Sequence, residues 1–224
     1  VETALGEAPG ALVVEENGVR FAVPAGGGQK TGWFYDQSAN RRALLKYVRG
    51  MRVLDVFSYL GAWGLAAARA GAREVVCVDS SEPALELLQS TAEANSLAVT
   101  ALKGDAFDVL AALRAEGQDF DVVIIDPPAF VKKRRDLPRG QAAYRKLNQL
   151  AMQLLPRDGI LVSCSCSHHL GPDELLAAIQ QSARHLGRFA QVVEAGGQAP
   201  DHPVHPAIPE TRYLKAFFCR VVHD

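Results

Sequence analysis

The side chains of this 224-residue chain that could do chemistry gather where short apolar runs end. The run GILVSCS leads into Ser163-Cys164-Ser165-Cys166-Ser167-His168-His169. Cysteines in that place admit three readings. As small hydrophobes they finish a buried strand. As metal ligands they have histidines beside them, but four adjacent ligands on one strand end do not easily wrap a tetrahedron, so no metal is expected. As a thiolate, one of them is a nucleophile, since helix N-termini, histidines and cations near a strand end lower a thiol's pKa. Cys77 and Cys219 lie inside apolar runs and are expected in the core.

Acids mark the other run ends. RVLDVF continues as Asp55-Val56-Phe57-Ser58-Tyr59-Leu60-Gly61-Ala62-Trp63-Gly64, whose glycines let backbone approach a ligand or simply make a tight turn. The spacing is not G-x-G-x-x-G, so the dinucleotide fingerprint, and with it a dehydrogenase, is disfavoured. EVVCVD ends at Asp79, 24 residues after Asp55, where an acid of a nucleotide-binding fold accepts ribose hydroxyls or, more blandly, caps a helix. Gly104-Asp105-Ala106-Phe107 sets an acid beside an aromatic that could hold adenine or belong to the core. FDVVIID ends in Asp126-Pro127-Pro128-Ala129-Phe130, and its two prolines forbid helix and hold a rigid loop behind the carboxylate. Acids at three successive run ends favour an adenosine pocket. Seven cations follow within fifteen residues: Lys132, Lys133, Arg134, Arg135, Arg139, Arg145 and Lys146, against the single acid Asp136. Such a run is a solvated loop or, beside a pocket mouth, a phosphate contact.

These ends must be positioned by a sheet. The four runs are too uniformly apolar for a one-sided sheet and suit parallel strands covered on both faces. Between and after them AWGLAAARA, PALELLQSTAEAN, AFDVLAALRAE, AAYRKLNQLAMQLL and PDELLAAIQQSARHL carry helical periodicity, and a further helix is expected from about Asn40 to Val48. Ser81-Glu82-Pro83 offers a capping hydroxyl before a first-turn proline. VTALKG, FAQVVEAG and YLKAFFCRVV supply further strands. At the start, ALVVEE and VRFAVP flank Asn17-Gly18, the signature of a type I′ hairpin turn. The expected architecture is a doubly wound α/β domain, a seven-stranded Rossmann-like sheet over residues 40–224, with a β-hairpin appendage and linker over 1–39.

Taken in order, DVFSYLGAWG, VDSS, GDAFD, DPPAF and SCSCSHH resemble class I S-adenosylmethionine-dependent methyltransferases. With GQKTGWFYDQ before the first strand of the sheet and DHPVHPAIPETRYLKAFFCRVV at the end, the resemblance narrows to the RlmI-like ribosomal RNA cytosine-C5 methyltransferases, from about Gly28 onward. The resemblance implies S-adenosyl-L-methionine as cofactor and RNA as partner. Asp55, Phe57, Ser58, Gly61 and Gly64 would hold its methionine portion, Asp79 with Ser80 the ribose, and Asp105, Ala106 and Phe107 the adenine. Thr31, Phe34, Asp36 and Gln37 would fold over the cofactor, Asp126 would sit between it and the target base, and Cys166 would be the nucleophile, with Cys164 unassigned. Members usually begin with an RNA-binding PUA domain, for which the residues before Gly28 are too few, and the first residue is Val rather than Met.

The cysteine has its own rationale. C5 of cytosine is too poor a nucleophile to take a methyl group directly, whereas a thiolate added at C6 turns the ring into an enamine-like species rich at C5. The base must then be unstacked or single-stranded. A guanine-N7 or adenine-N6 enzyme would need the acid and not the thiol, and a non-catalytic cofactor- or RNA-binding module would need neither.

Composition fits this reading and excludes others. Forty-eight percent hydrophobic and 22% charged residues rule out a disordered chain. No apolar run nears the ~20 residues of a membrane span, and no signal peptide is visible, so a cytoplasmic enzyme is expected. A net charge of −1 means that RNA must be met by a local basic patch.

Overall fold

Residues 10–24 and 32–223 are described by the computed structural model; Thr31 and the first part of GQKTGWFYDQ lie outside them. Strands β1 (Ala11–Glu16) and β2 (Val19–Pro24) form the expected hairpin, with Asn17 and Gly18 both at positive φ as a type I′ turn requires. Alternate residues Val19, Phe21 and Val23 point inward and pack with Trp33, Leu60, Leu65, Ala84 and Ala92. The hairpin therefore packs against α2 and α3 at one side of the sheet.

A short 3₁₀ turn at Tyr35–Gln37 leads into α1 (Ser38–Leu44). This helix stops earlier than its periodicity predicts, because tight turns after Leu44 let Tyr47 stack on Phe218 and donate its hydroxyl to Glu194. The sheet follows: β3 (Arg52–Val56), α2 (Ala62–Arg69), β4 (Glu74–Asp79), α3 (Glu82–Ala94), β5 (Thr100–Lys103), α4 (Ala106–Ala115), β6 (Val122–Ile125), α5 (Leu137–Gln153), β7 (Gly159–Ser165), α6 (Pro172–His185), β8 (Arg188–Gly196) and β9 (Lys215–His223). Its spatial order is β5-β4-β3-β6-β7-β9-β8, seven strands, with β9 inserted antiparallel between β7 and β8. The sheet is thus mixed. A core of α4, α5 and α6 covers one face and a second core with α1 and α2 covers the other, which is why the central strands read as unbroken apolar runs.

Two local starts differ from expectation. Ser81 occupies the N-cap of α3, but its hydroxyl makes no capping bond; its backbone N–H is held instead by Asp79 Oδ1 at 2.9 Å. Helix α5 begins at Leu137, not at Ala142, because Pro138 sits in the first turn, where a missing N–H costs nothing. Lys132 to Arg135 consequently precede the helix, whereas Arg139, Arg145 and Lys146 lie on it. Among the described residues no helix is long and apolar enough to cross a membrane.

Connectivity reverses between β3 and β6: the chain runs outward through β4 and β5 and returns to lay β6 on the other side of β3. Ligands of such sheets bind at the carboxyl ends beside this switch point. One buried ion pair ties the hairpin to that place. Arg41, 2% exposed, donates Nη2 to Glu16 Oε2 at 2.7 Å and to the Phe34 carbonyl at 2.8 Å. Glu16 also accepts from the Trp33 indole N–H. Replacing Glu16 by Ala strands the guanidinium without its carboxylate and should destabilise the fold by about 3 kcal/mol in urea unfolding.

Candidate active site

The loops after β3, β4 and β6 and the segments around residues 33–41 and 213–214 enclose a cavity of about 470 Å³. That lies within the range of about 300–1,000 Å³ usual for small-molecule sites. Aromatic and apolar walls come from Trp33, Phe34, Phe57, Tyr59 and Trp63, and acids from Asp36, Asp79 and Asp126. The turn after β3 is strained: Phe57 and Tyr59 both adopt left-handed backbone with φ of 65° and 50°. The strain is held by bonds from the Ser58 N–H to the Val78 carbonyl (3.0 Å) and the Tyr59 N–H to Asp79 Oδ2 (2.8 Å).

The acids at the strand ends have different surroundings. Asp55 does not reach the cavity surface; it is fully buried, and Oδ2 accepts from the Gly64 N–H at 2.9 Å. Burial pushes its carboxyl up to about 7. Gly61 and Gly64 are buried too, and the protein's own packing demands them. A Cβ at Gly64 would lie 2.4 Å from Cys77 Sγ, and one at Gly61, whose φ is 77°, would lie 2.7 Å from the Leu88 side chain. Asp79 lines the cavity, and its two oxygens accept from the Tyr59 and Ser81 N–H groups while keeping lone pairs for further donors. Ser80 lines the cavity beside it.

Asp105, Ala106 and Phe107 stand outside the cavity lining. Asp105 caps α4, with Oδ1 alone taking the N–H bonds of Phe107 and Asp108, which leaves Oδ2 for another donor. Phe107 packs near Phe130, and the Lys146 ammonium stands 5.6 Å from its ring centroid.

Asp126 is the most elaborately held group. Gln37 Nε2 lies 3.0 Å from each of its carboxylate oxygens, and Trp63 Nε1 donates to Oδ2 at 3.1 Å. The Gln37 amide is itself oriented, because Asn40 Nδ2 donates to its Oε1 at 2.7 Å. Burial pushes the Asp126 carboxyl up to about 6 despite these donors. Behind it Pro127 is buried and its carbonyl faces Cys166, whose Sγ lies 3.9 Å from that oxygen. Cys166 lies just past the end of β7 and lines the cavity. Cys164 is buried within the strand, and burial raises its thiol pKa well above the ordinary value. Cys77 and Cys219 are core residues, as expected.

Of the further lining residues, Tyr59 and Trp63 fall inside the stretch from Asp55 to Gly64 expected at the cofactor, Trp33, Tyr213 and Leu214 inside motifs without a role of their own, and Arg41 has no expected role. The Tyr213 hydroxyl donates to Asp36 Oδ2 at 2.7 Å, and burial with that acceptor raises the phenol's pKa. Asp36 Oδ1 and Ser58 Oγ, both buried, have no hydrogen-bond partner among the described residues. Polar atoms of this kind at an aromatic-walled cavity fit a ligand that carries an ammonium, hydroxyls and a flat ring, as S-adenosylmethionine does.

The comparisons agree with the fold. Residues 2–220 match the S-adenosylmethionine-dependent methyltransferase family, and the chain belongs to it. Its cofactor is accordingly S-adenosylmethionine. Over 221 residues the chain is 41% identical to proteins named ribosomal RNA large subunit methyltransferase I from Salmonella arizonae and Salmonella newport. The alignment covers 97% of this chain and 55% of each of those proteins, so the chain spans about half the length of the curated relatives it matches. Among solved structures, SMU.776, described as a methyltransferase complexed with SAH, superposes with a TM-score of 0.85 at 26% identity, over 96% of this chain and 57% of that one. Trm5b from Pyrococcus abyssi, at a TM-score of 0.71 and 18% identity, covers 97% of this chain and 58% of its own and shares the fold.

The buried acids predict a pH dependence. Unfolded, both Asp55 and Asp126 titrate near the ordinary ~3.9; folded, they titrate near 7 and 6. Between those values the native state binds more protons than the unfolded chain, so their contribution to stability falls as pH rises from about 4 to 7. Asp55→Asn removes one share of that loss. Urea unfolding should show the variant gaining on the wild type between pH 5 and pH 8, by an amount on the order of a few kcal/mol. A difference that does not change with pH would contradict the buried-carboxyl assignment.

Proposed function

We propose that this chain is the catalytic part of a cytoplasmic enzyme that methylates C5 of a cytosine in ribosomal RNA through a covalent adduct with Cys166. The observation that carries the reading is the thiol of Cys166, at the wall of the same cavity that holds Asp79 and Asp126 and facing the Pro127 carbonyl. A guanine-N7 or adenine-N6 enzyme has no use for a thiol there. The similarity to ribosomal RNA large subunit methyltransferase I supports the substrate class.

Within the cavity, Asp79 and Ser80 bind the ribose hydroxyls of the cofactor, and Asp36 Oδ1 with Ser58 Oγ take its methionine ammonium and carboxylate end. Asp105 Oδ2 and Phe107 are assigned to the adenine edge and face. Asp55, Gly61 and Gly64 act from behind, holding the β3–α2 turn so that Phe57 and Ser58 face the ligand. The hairpin of β1 and β2 and the segment over residues 32–39 are the appendage and linker beside the methyltransferase domain over 40–224. Bound here, S-adenosylmethionine supplies an electrophilic methyl group.

The chain's own residues do the rest. Cys166 Sγ adds its electron pair to C6 of the base, and the displaced ring electrons make C5 nucleophilic. Asp126 faces the same ring. With its carboxyl raised to about 6, it can stabilise a proton at N3 or accept from the exocyclic amine, and Gln37 and Trp63 keep it from turning away. After methyl transfer to C5, solvent water takes the C5 proton, the C5–H electron pair re-forms the C5–C6 double bond, and the S–C6 pair leaves with the thiolate. The exposed cations Lys132 to Arg135, a few residues beyond the cavity-lining Ala129, meet the phosphates of the unstacked strand.

Cys166→Ala should abolish methyl transfer to ribosomal RNA, measured with a radiolabelled methyl donor, while calorimetric binding of S-adenosylmethionine persists. Asp79→Ala should do the reverse to binding and weaken it at least about tenfold, the equivalent of ~1.4 kcal/mol. Full transfer by Cys166→Ala would remove the cytosine-C5 mechanism.

A further inference from the structure

One buried ionisable group beside the nucleophile has no part in the mechanism above. Lys215 opens β9 and pairs in register with Ser165, the last residue of β7, so it lies level with the strand end that carries Cys166. It is only 6% exposed. Its Nζ donates to the Ser167 carbonyl at 2.7 Å and to the Tyr213 carbonyl at 2.8 Å. Among the described residues its hydrogen bonds thus go to carbonyls and not to a carboxylate. Ser167 is the residue after Cys166, and Tyr213 lines the cavity, so the ammonium is fixed one peptide away from the thiol. Burying a cation in this way costs more than two neutral acceptors return, and an apolar side chain would fill the position more cheaply. The arrangement makes sense where a negative charge forms next to it.

We propose that Lys215 is a positioning residue for the nucleophile: its ammonium, clamped between the Ser167 and Tyr213 carbonyls, stabilises the thiolate of Cys166. The inference rests on the reading of Cys166 as the nucleophile. When the thiol ionises, its proton passes to solvent water and sulfur keeps the S–H electron pair, while Lys215 stays an ammonium. The same charge serves the last step, in which the electron pair of the S–C6 bond returns to sulfur as the thiolate departs.

The surroundings give Lys215 that task. Facing Cys166 or its lysine are Asp126 at the end of β6, Tyr144 on α5, Tyr213 before β9 and Glu174 on α6. Arg41 also borders the cavity, but its charge is engaged by Glu16, and His168 is exposed two residues on. The carboxylate of Asp126 opposes thiolate formation, and Lys215 offsets it. Burial lowers the lysine's own pKa to about 8, with Cys166 and Glu174 drawing it back up, so the ammonium prevails at neutral pH.

The test is the rate of Cys166 alkylation by iodoacetamide as a function of pH on the full chain, with the modified cysteine located by fragment mass spectrometry. In the wild type the rate should reach half its plateau at least one pH unit below the ordinary thiol value of ~8.5. In Lys215→Met that midpoint should rise by about one unit or more, a change equivalent to tenfold in thiolate at neutral pH. A lysine that only braces the two carbonyls would lower the urea midpoint of the variant and leave its alkylation midpoint where it was, and that result would overturn the proposal. A wild-type midpoint at or above ~8.5 overturns it as well, even if Lys215→Met fails to fold. The nucleophile reading fails separately, through full methyl transfer by Cys166→Ala.

Discussion

The carboxylate of Asp126 holds the site together. Its two oxygens receive the Gln37 amide and the Trp63 indole, so one acid joins three parts of the chain: the segment before α1, the first turn of α2 and the end of β6. Each partner is fixed from behind. Asn40 orients Gln37 and also donates to the Gly197 carbonyl, and Gly64, one residue beyond Trp63, is tied to Asp55. Removing this carboxylate would leave an amide and an indole N–H buried without acceptors, which costs more than the bonds themselves contribute. The parts of the cavity wall that come from the segment before α1, from α2 and from the end of β6 therefore depend on one ionisable group.

Burial then separates acids that look alike in the sequence. Asp55, inside β3, titrates near 7 and serves the fold. Asp79, half-buried at the end of β4, organises two backbone N–H groups and keeps lone pairs toward the cavity. Asp126 has donors on both oxygens, and burial still raises its carboxyl to about 6. The same sorting applies to the thiols. Cys164 and Cys166 are two residues apart and lean the same way, but only the second clears the strand and meets the cavity, while burial keeps the first protonated.

Much of this was legible in the residues because it rests on local rules. Apolar runs of four to seven residues specify strands buried on both faces, Asn17-Gly18 specifies its turn, and the acids at the run ends fall where a doubly wound sheet presents ligands. What escaped was set by tertiary contact. The early end of α1 answers to Phe218 and Glu194, far along the chain. The glycines after β3 suggest an approach to ligand, yet Gly61 and Gly64 are required by Leu88 and Cys77. Trp63, Arg41 and Tyr213 carry no local signal of their role, since an indole, a guanidinium and a phenol become cavity walls only when β2, α2 and the segment before β9 converge. The antiparallel insertion of β9 is equally silent in the pattern, and it is what brings Lys215 level with Ser165.

The most direct measurement of the central claim uses ribosomal RNA transcribed with 5-fluorocytidine, incubated with the full chain and S-adenosylmethionine. Fluorine at C5 cannot leave as the proton does, so addition and methyl transfer proceed and elimination stops. The account predicts a protein–RNA adduct that survives denaturing electrophoresis, requires the methyl donor, maps to Cys166 by mass spectrometry, and forms with Cys164→Ala but not with Cys166→Ala. Methylation of unmodified RNA without any such adduct, or an adduct on another side chain, would contradict it.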